Sequence, residues 1–206
     1  MNIGIIGTAG RKEDAALINA SKYAQMLEVA KSLVADQQEP ITLISGGAAV
    51  ADHLAVQLAL ADPRYKLKLH LPARFDTAKH QFAEVPGNMY APGNIANYYH
   101  RKFRASCGNN SLDELAQVIK DGAEVVVTPG FKERNTQVAV DSELLIAFTF
   151  GNGPVLKDGG TLDCMSKFLA LGKTNSFHID LHTMEVYSPA AITPPVIKLQ
   201  NELPGL

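Results

Sequence analysis

The run from Leu144 to Phe150, LLIAFTF, is apolar over the length of one strand, and a polar segment with Gly151, Gly153, Gly159 and Gly160 follows it. A short unbroken apolar run fits a parallel strand covered by helices on both faces, so this run belongs near the centre of a sheet. From Thr161 the apolar residues Leu162, Met165 and Leu169 return at helical spacing. The helix is therefore read as starting at the glycines. A helix start presents unpaired backbone N–H groups and the positive end of a dipole, and glycine lets an anion approach them closely. Two readings stay open at this junction. Gly159, Gly160 and the Thr161 hydroxyl hold an anion, or the glycines only turn the chain and Thr161 is an N-cap.

Two more strand ends have the same character. Asn2 to Gly7 reads as a short apolar strand running into Thr8, Ala9, Gly10 and Arg11. Open α/β sheets bind ligands at such carboxyl ends, and Arg11 there either pairs a phosphate or is a solvated loop arginine. The turn does not match the dinucleotide fingerprint G-x-G-x-x-G, so no nicotinamide and no other cofactor is expected. Ile41 to Ile44 reads as a second strand, after a helix that starts at Asn19 or Ser21 and carries its apolar face through Tyr23, Met26, Leu27, Ala30, Leu33 and Val34. Next comes SGGAAVADHLA, read as paired glycines opening another helix, with Ser45, Gly46 and Gly47 at the ligand. Asp52 accepts from a sugar hydroxyl, braces the loop, or sits on the helix dipole.

Strands alternating with helices along 206 residues imply one α/β domain with a doubly wound, mostly parallel sheet. Net charge −2 makes nucleic acid an unexpected main partner. No apolar run is of membrane-spanning length and MNIGIIG enters a strand directly, which gives the expectation of a soluble cytoplasmic protein with no membrane partner. Cys107 and Cys164 lie far apart, and the six histidines form no ligand-spaced cluster. No metal site is expected. The domain is placed at residues 1–188, with 189–206 as an extended proline-containing tail.

Lys66 to Pro72 alternates as a third strand. Residues 73–110 fit the repeating pattern least and read as an insertion or lid. Within them Tyr98, Tyr99 and Arg101 stand among further basic residues. They either stack a base and hold phosphate or form a surface helix with Tyr98 and Phe103 packed inward. Ser111 is read as the cap of a helix with Leu112, Leu115, Val118 and Ile119 on its buried stripe, and Val125 to Val127 as the fourth strand. Asn175 to Leu181 reads as the last main strand, with Thr183 to Tyr187 as an antiparallel edge.

The segments GTAGR, SGGAAVADHLA, ERN at Glu133–Asn135 and the GGT helix start together resemble the SLOG superfamily. That Rossmann-like group contains the LOG (Lonely Guy) nucleotide phosphoribohydrolases, the DNA-processing Smf proteins and nucleotide-sensing domains. The resemblance covers residues 3 to 61 and 123 to 181. It implies a nucleotide or nucleotide-derived ligand, a homo-oligomer, and a role for Arg134, with Asn135 beside it, at the ligand's phosphate or sugar. A salt bridge from Arg134 to Glu133 or Asp141 is the other reading. The LOG enzymes carry P-G-G-x-G-T-x-x-E, and Cys164 stands where their final Glu would be. The resemblance thus favours binding over catalysis. The alternative is a LOG-like enzyme acting at an N-glycosidic bond through Asp158 or Asp163.

Overall fold

The computed structural model describes residues 1–188. The tail expected at 189–206 lies outside the described residues. The main sheet contains β1 (Asn2–Gly7), β2 (Thr42–Ser45), β3 (Lys66–Leu71), β6 (Glu124–Val127), β7 (Leu144–Thr149), β8 (Ser176–Asp180) and β9 (Glu185–Tyr187). Their order is β6-β3-β2-β1-β7-β8-β9, parallel except for β9, which pairs antiparallel with β8. The chain works outward from β1 to one edge, returns beside β1, and works outward to the other. The crevice at the carboxyl ends of β1 and β7 is the place where such a sheet binds ligands.

Helices cover both faces, so the chain has the doubly wound α/β, Rossmann-like architecture. The helices α1 (Ala20–Ala35), α2 (His53–Ala61), α3 (Pro92–Cys107) and α4 (Ser111–Lys120) bury Met26, Leu54, Phe103 and Leu115 against Ile5, Leu43, Leu69 and Ile146. On the opposite face α5 (Phe131–Asp141) and α6 (Gly160–Ala170) bury Val138, Met165 and Phe168 against Ile6, Ile44, Leu145 and Ala147. Successive residues of β7 therefore enter different cores. Its unbroken apolar sequence is the consequence.

Of three helix starts, the first takes one of the two caps the sequence offered and the other two differ from the sequence reading. Asn19 caps α1, accepting from the Lys22 amide at 2.9 Å. Asn110, not Ser111, precedes α4, and the Ser111 hydroxyl turns inward to His100 Nδ1 at 2.8 Å. The third is at the second glycine turn. There α2 begins only at His53, so Gly46 to Asp52 is a wide loop and not a helix opening. Residues 73–110 contain a small antiparallel hairpin, β4 (Phe75–Asp76) with β5 (Gln81–Phe82), followed by α3. Asn97 ties the two together by accepting from the Phe82 amide and donating back to its carbonyl. The segment is thus packed into the larger core. Among the described residues no helix is long and apolar enough to cross a membrane.

A polar fastener joins β3 to the end of α5. Asp141 Oδ2 accepts from His70 Nε2 at 2.8 Å and from Lys68 Nζ at 2.9 Å. Burial pushes the Asp141 carboxyl up, but the Lys68 and His70 hydrogen bonds outweigh it and hold the group below its ordinary value. A depressed carboxylate contributes stability that is present above the unfolded value, about 3.9, and is lost as pH falls through the folded value. Denaturant unfolding across pH should show Asp141→Asn less stable than the wild type at neutral pH. The two curves should converge once the pH has fallen below the folded value.

Candidate functional site

A cleft of about 450 Å³ opens at the carboxyl ends of β1, β2 and β7, at the crevice where the strand order reverses. Its volume lies within the range of small-molecule sites. Four pieces of chain build it: the turn after β1, the loop after β2, the start of α5, and the loop from β7 into α6. A fifth, α3, supplies Ile95, Ala96 and Tyr99 at one wall.

The turn after β1 is held by its own side chains. The Thr8 hydroxyl donates to Asp14 Oδ2 at 2.7 Å and accepts from the Gly10 amide at 3.1 Å. Gly10 takes φ +70°, which lets the chain reverse into a short 3₁₀ turn at Lys12–Ala16. Arg11 is exposed at the cleft rim with its guanidinium 5.9 Å from the Tyr99 ring centroid. A cation and an aromatic face thus stand together at the mouth.

The loop after β2 is organised by Asp52, which is only 4% exposed. Burial pushes the Asp52 carboxyl up. Arg134 and hydrogen bonds from the Ala48, Gly7 and Gly46 amides oppose that without fully cancelling it. Arg134 Nη1 donates to the Gly46 carbonyl at 2.7 Å and to Asp52 Oδ2 at 3.2 Å. A Cβ on Gly46 would lie 2.0 Å from that nitrogen, so only glycine leaves room for the guanidinium. Ser45 Oγ donates to the Asp52 carbonyl and accepts from the Gly47 amide, while His100 Nε2 reaches the Gly47 carbonyl at 3.1 Å. Burial pushes His100 down to about 3, so its neutral ring donates from Nε2 and accepts the Ser111 hydroxyl at Nδ1.

These contacts correct the expected role of the second glycine turn. The Gly47 amide already donates to Ser45 Oγ, and the nearby Gly46 and Ala48 amides favour the Asp52 carboxylate, so an internal carboxylate takes up the field a phosphate would meet there. Of the three readings of Asp52, bracing the loop is the one the geometry shows. Arg134 pairs with Asp52, not with Glu133 or Asp141. Its Nε is buried with no hydrogen-bond partner among the described residues.

The start of α6 is different. Gly159 is the N-cap residue at φ 124°, ψ −153°, and no side chain caps the helix. Thr161 is the second helical residue and not the cap. The first helical bond runs from the Asp163 amide to the Gly159 carbonyl, which leaves the amides of Gly160, Thr161 and Leu162 without acceptors among the described residues. Gly159, Gly160 and Thr161 all line the cleft. Asn135 fixes this helix end by donating to the Gly160 carbonyl and to Asp163 Oδ2, each at 3.0 Å. The approach loop is fixed from behind. Thr149 Oγ1 accepts from the Lys157 amide and contacts His178 Nε2 at 2.8 Å, and His178 Nδ1 meets the Gly153 carbonyl at 2.8 Å.

The cleft gathers Gly7, Thr8, Arg11, Gly46, Gly47, Asp52, Tyr99, Arg134, Asn135, Asp158 and the Gly159–Thr161 turn. It does not gather the rest. Gly10 and Ser45 support the walls. Tyr98 is 51% exposed and packs on Tyr99 and Lys102, and Arg101 pairs with Glu84 at 3.0 Å; lying one residue before and two after Tyr99, they are turned about 100° and 200° around the helix from the wall that Tyr99 forms. Asp163 is held below the usual carboxylate range: burial raises it, and Lys167 with Asn135 more than offsets this. It faces Lys167 at 2.8 Å, outside the cleft. Cys164 lines the floor, donates to the Asn135 carbonyl at 3.4 Å, and is pushed up to about 12 by burial, so it is an inert thiol.

Sequence reasoning missed Asp14, Glu13 and Lys157. Lys157 Nζ reaches Glu13 at 2.6 Å and the buried Asp14 at 2.7 Å, which raises the Lys157 ammonium and closes one side of the cleft. A lysine two residues before a glycine pair that opens a helix was the available signal. Asp52→Ala removes the partner of a nearly buried guanidinium. It is expected to cost about 3 kcal/mol in denaturant unfolding, the scale for one half of a broken buried pair.

No family model matches the chain, and no solved structure matches it. It is 34% identical over 181 residues to Uncharacterized protein R261 from Acanthamoeba polyphaga mimivirus. The alignment covers 85% of this chain and 94% of that protein.

Proposed function

The chain belongs to the family of that mimivirus protein, and from the geometry of the cleft we propose that it binds a nucleotide or nucleotide-derived ligand through one phosphate group. The observation that carries this is the uncapped start of α6, where Gly160 and Thr161, whose amides have no acceptor among the described residues, line the cleft. An anion there gains the dipole and several N–H donors at once. Arg11 and Lys12 add positive charge to the same cleft, whose Lys157 is already paired with Glu13 and Asp14. The Tyr99 ring beneath Arg11 supplies a face for a base. The second glycine loop already holds the Asp52 carboxylate, which disfavours a second anion there, so one phosphate fits better than two. In this reading the chain is a small stand-alone member of the SLOG superfamily that senses, sequesters or presents its ligand.

Catalysis is the second reading, and one observation favours it. Asp158 and the Glu13–Asp14 pair bring carboxylates to the same cleft, where one could stabilise an oxocarbenium-like centre. Neither Cys164 nor Asp163 takes part. Calorimetric titration with a series of nucleoside 5′-monophosphates, followed by chromatography of the mixture, separates the readings. Intact ligand supports binding, and free base supports hydrolysis. Gly159→Ala forces a side chain into a conformation that only glycine adopts readily, and is expected to weaken binding at least tenfold, about 1.4 kcal/mol. Tyr99→Ala is expected to weaken it by about 1 to 3 kcal/mol through lost stacking. No heat with any nucleotide, or unchanged affinity in both variants, contradicts the proposal.

A further inference from the structure

The loop from β7 to α6 is fastened from behind at three backbone groups, and one buried ring joins two of them. The Gly153 amide donates to Asp180 Oδ2 at 3.0 Å, and the Gly153 carbonyl meets His178 Nδ1 at 2.8 Å. Thr149 Oγ1 stands between His178 Nε2 at 2.8 Å and the Lys157 amide at 3.2 Å. His178 is fully buried, and a Cβ on Gly151 would lie 2.8 Å from its ring, so the loop passes directly over it.

The direction of each bond follows from what its atoms can do. A carbonyl only accepts, so Nδ1 carries the proton of a neutral ring. A backbone amide only donates, so the Thr149 oxygen accepts from Lys157 and its one proton goes to Nε2. The chain therefore runs from the Lys157 amide through the Thr149 hydroxyl and His178 to the Gly153 carbonyl, and it is complete only with a neutral ring. Burial pushes His178 down from its ordinary value, against the Gly153 carbonyl and the Asp180 carboxylate, which favour the charged ring.

We propose that His178 is a positioning residue for the anion-binding turn, and that a proton on its Nε2 weakens ligand binding by releasing the loop that carries the turn. This rests on the start of α6 being the phosphate site. A second ring proton aims two N–H groups at the Thr149 oxygen and strands the hydroxyl proton in a buried place. The bond put at risk is the Lys157 amide's, two residues before Gly159. Among the described residues it is the one backbone hydrogen bond from Leu156 to Asp158. The titratable groups around the ring are Asp180 on its own strand and Tyr187 of β9, stacked at 6.5 Å with its hydroxyl on Glu185. His182 turns onto Phe150, and on the loop the Lys157 ammonium is held by Glu13 and Asp14, with Asp158 beside it. Neither ring nitrogen bonds any of them.

Linkage fixes the sign. Affinity is full above the ring's titration midpoint in the free protein and falls as pH drops through it, and a bound ligand lowers that midpoint by the same factor. Nuclear magnetic resonance of the full chain follows the His178 ring and the Lys157 amide through an acid titration, with and without adenosine 5′-monophosphate. The amide is expected to move with the ring, and the ligand to lower the ring's midpoint by about one unit, a tenfold change in affinity. Calorimetry then compares the wild type with His178→Gln, which keeps an acceptor for the Thr149 hydroxyl and does not titrate. The ligand's own phosphate ionisation, at about 6, acts equally on both proteins. From about pH 7.5 to about pH 5 the wild type is expected to lose about tenfold more affinity than the variant. A ring that stays neutral until the chain unfolds, a Lys157 amide that ignores the ring, a midpoint unmoved by bound ligand, or equal losses in the two proteins overturns the proposal. A wild type that binds at neither pH contradicts the phosphate site itself, and the titration of the free chain then decides whether the ring holds the loop.

Discussion

A carboxylate buried to 4% exposure can exist only if the chain around it is arranged to receive it, and Asp52 imposes that arrangement on the whole carboxyl edge of the sheet. It gathers amides from the end of β1 and from both ends of the turn after β2, and it binds Arg134 from α5. Those elements come from opposite faces of the sheet and from distant parts of the chain. Breaking the pair would leave one largely buried charge without its partner. The glycine at position 46 follows from the same constraint, because the guanidinium passes where its Cβ would stand.

The consequence is a division of labour between two glycine turns that look alike. The turn after β2 gives its Gly47 amide to Ser45 Oγ, holds the Asp52 carboxylate within its loop, and gives its carbonyls to Arg134 and His100. It is wall. The turn before α6 keeps its amides free, held in place by Asn135 at one end and by the Thr149–His178 hydrogen bonds at the other. Two turns that each bound phosphate would suit a ligand with two anionic groups. One filled from within and one left open suits a ligand with a single anionic group and an apolar or aromatic remainder, which the Tyr99 wall can take.

Much of the fold was legible because burial on two faces leaves a local mark. The stretch 144–148 is apolar throughout for that reason, and Leu67, Leu69 and Leu71 alternate because the other face of β3 presents Lys68 and His70 to Asp141 of α5. The hairpin at residues 75–82 left no such mark, since strands of two residues are too short to show a period. The site was harder to read. A glycine pair followed by alanines looks like a helix start, and nothing local says that Asp52 folds back over it, because Asp52's partner Arg134 lies 82 positions away. Lys157 and Asp14 were missed for the same reason, being 143 positions apart. The cleft placement of Arg134 and the Gly159–Thr161 turn was legible because each lies at the start of a helix that follows a strand's carboxyl end.

The central claim is that one turn receives an anion and the other does not. Amide resonances report this directly, in a nitrogen–proton correlation spectrum of the full chain titrated with a nucleoside 5′-monophosphate. The account predicts large shifts at Gly160, Thr161 and Leu162, with small ones at Gly46, Gly47 and Ala48, where the Asp52 carboxylate already stands. Shifts centred on Gly46 to Ala48, or none at the start of α6, would contradict it.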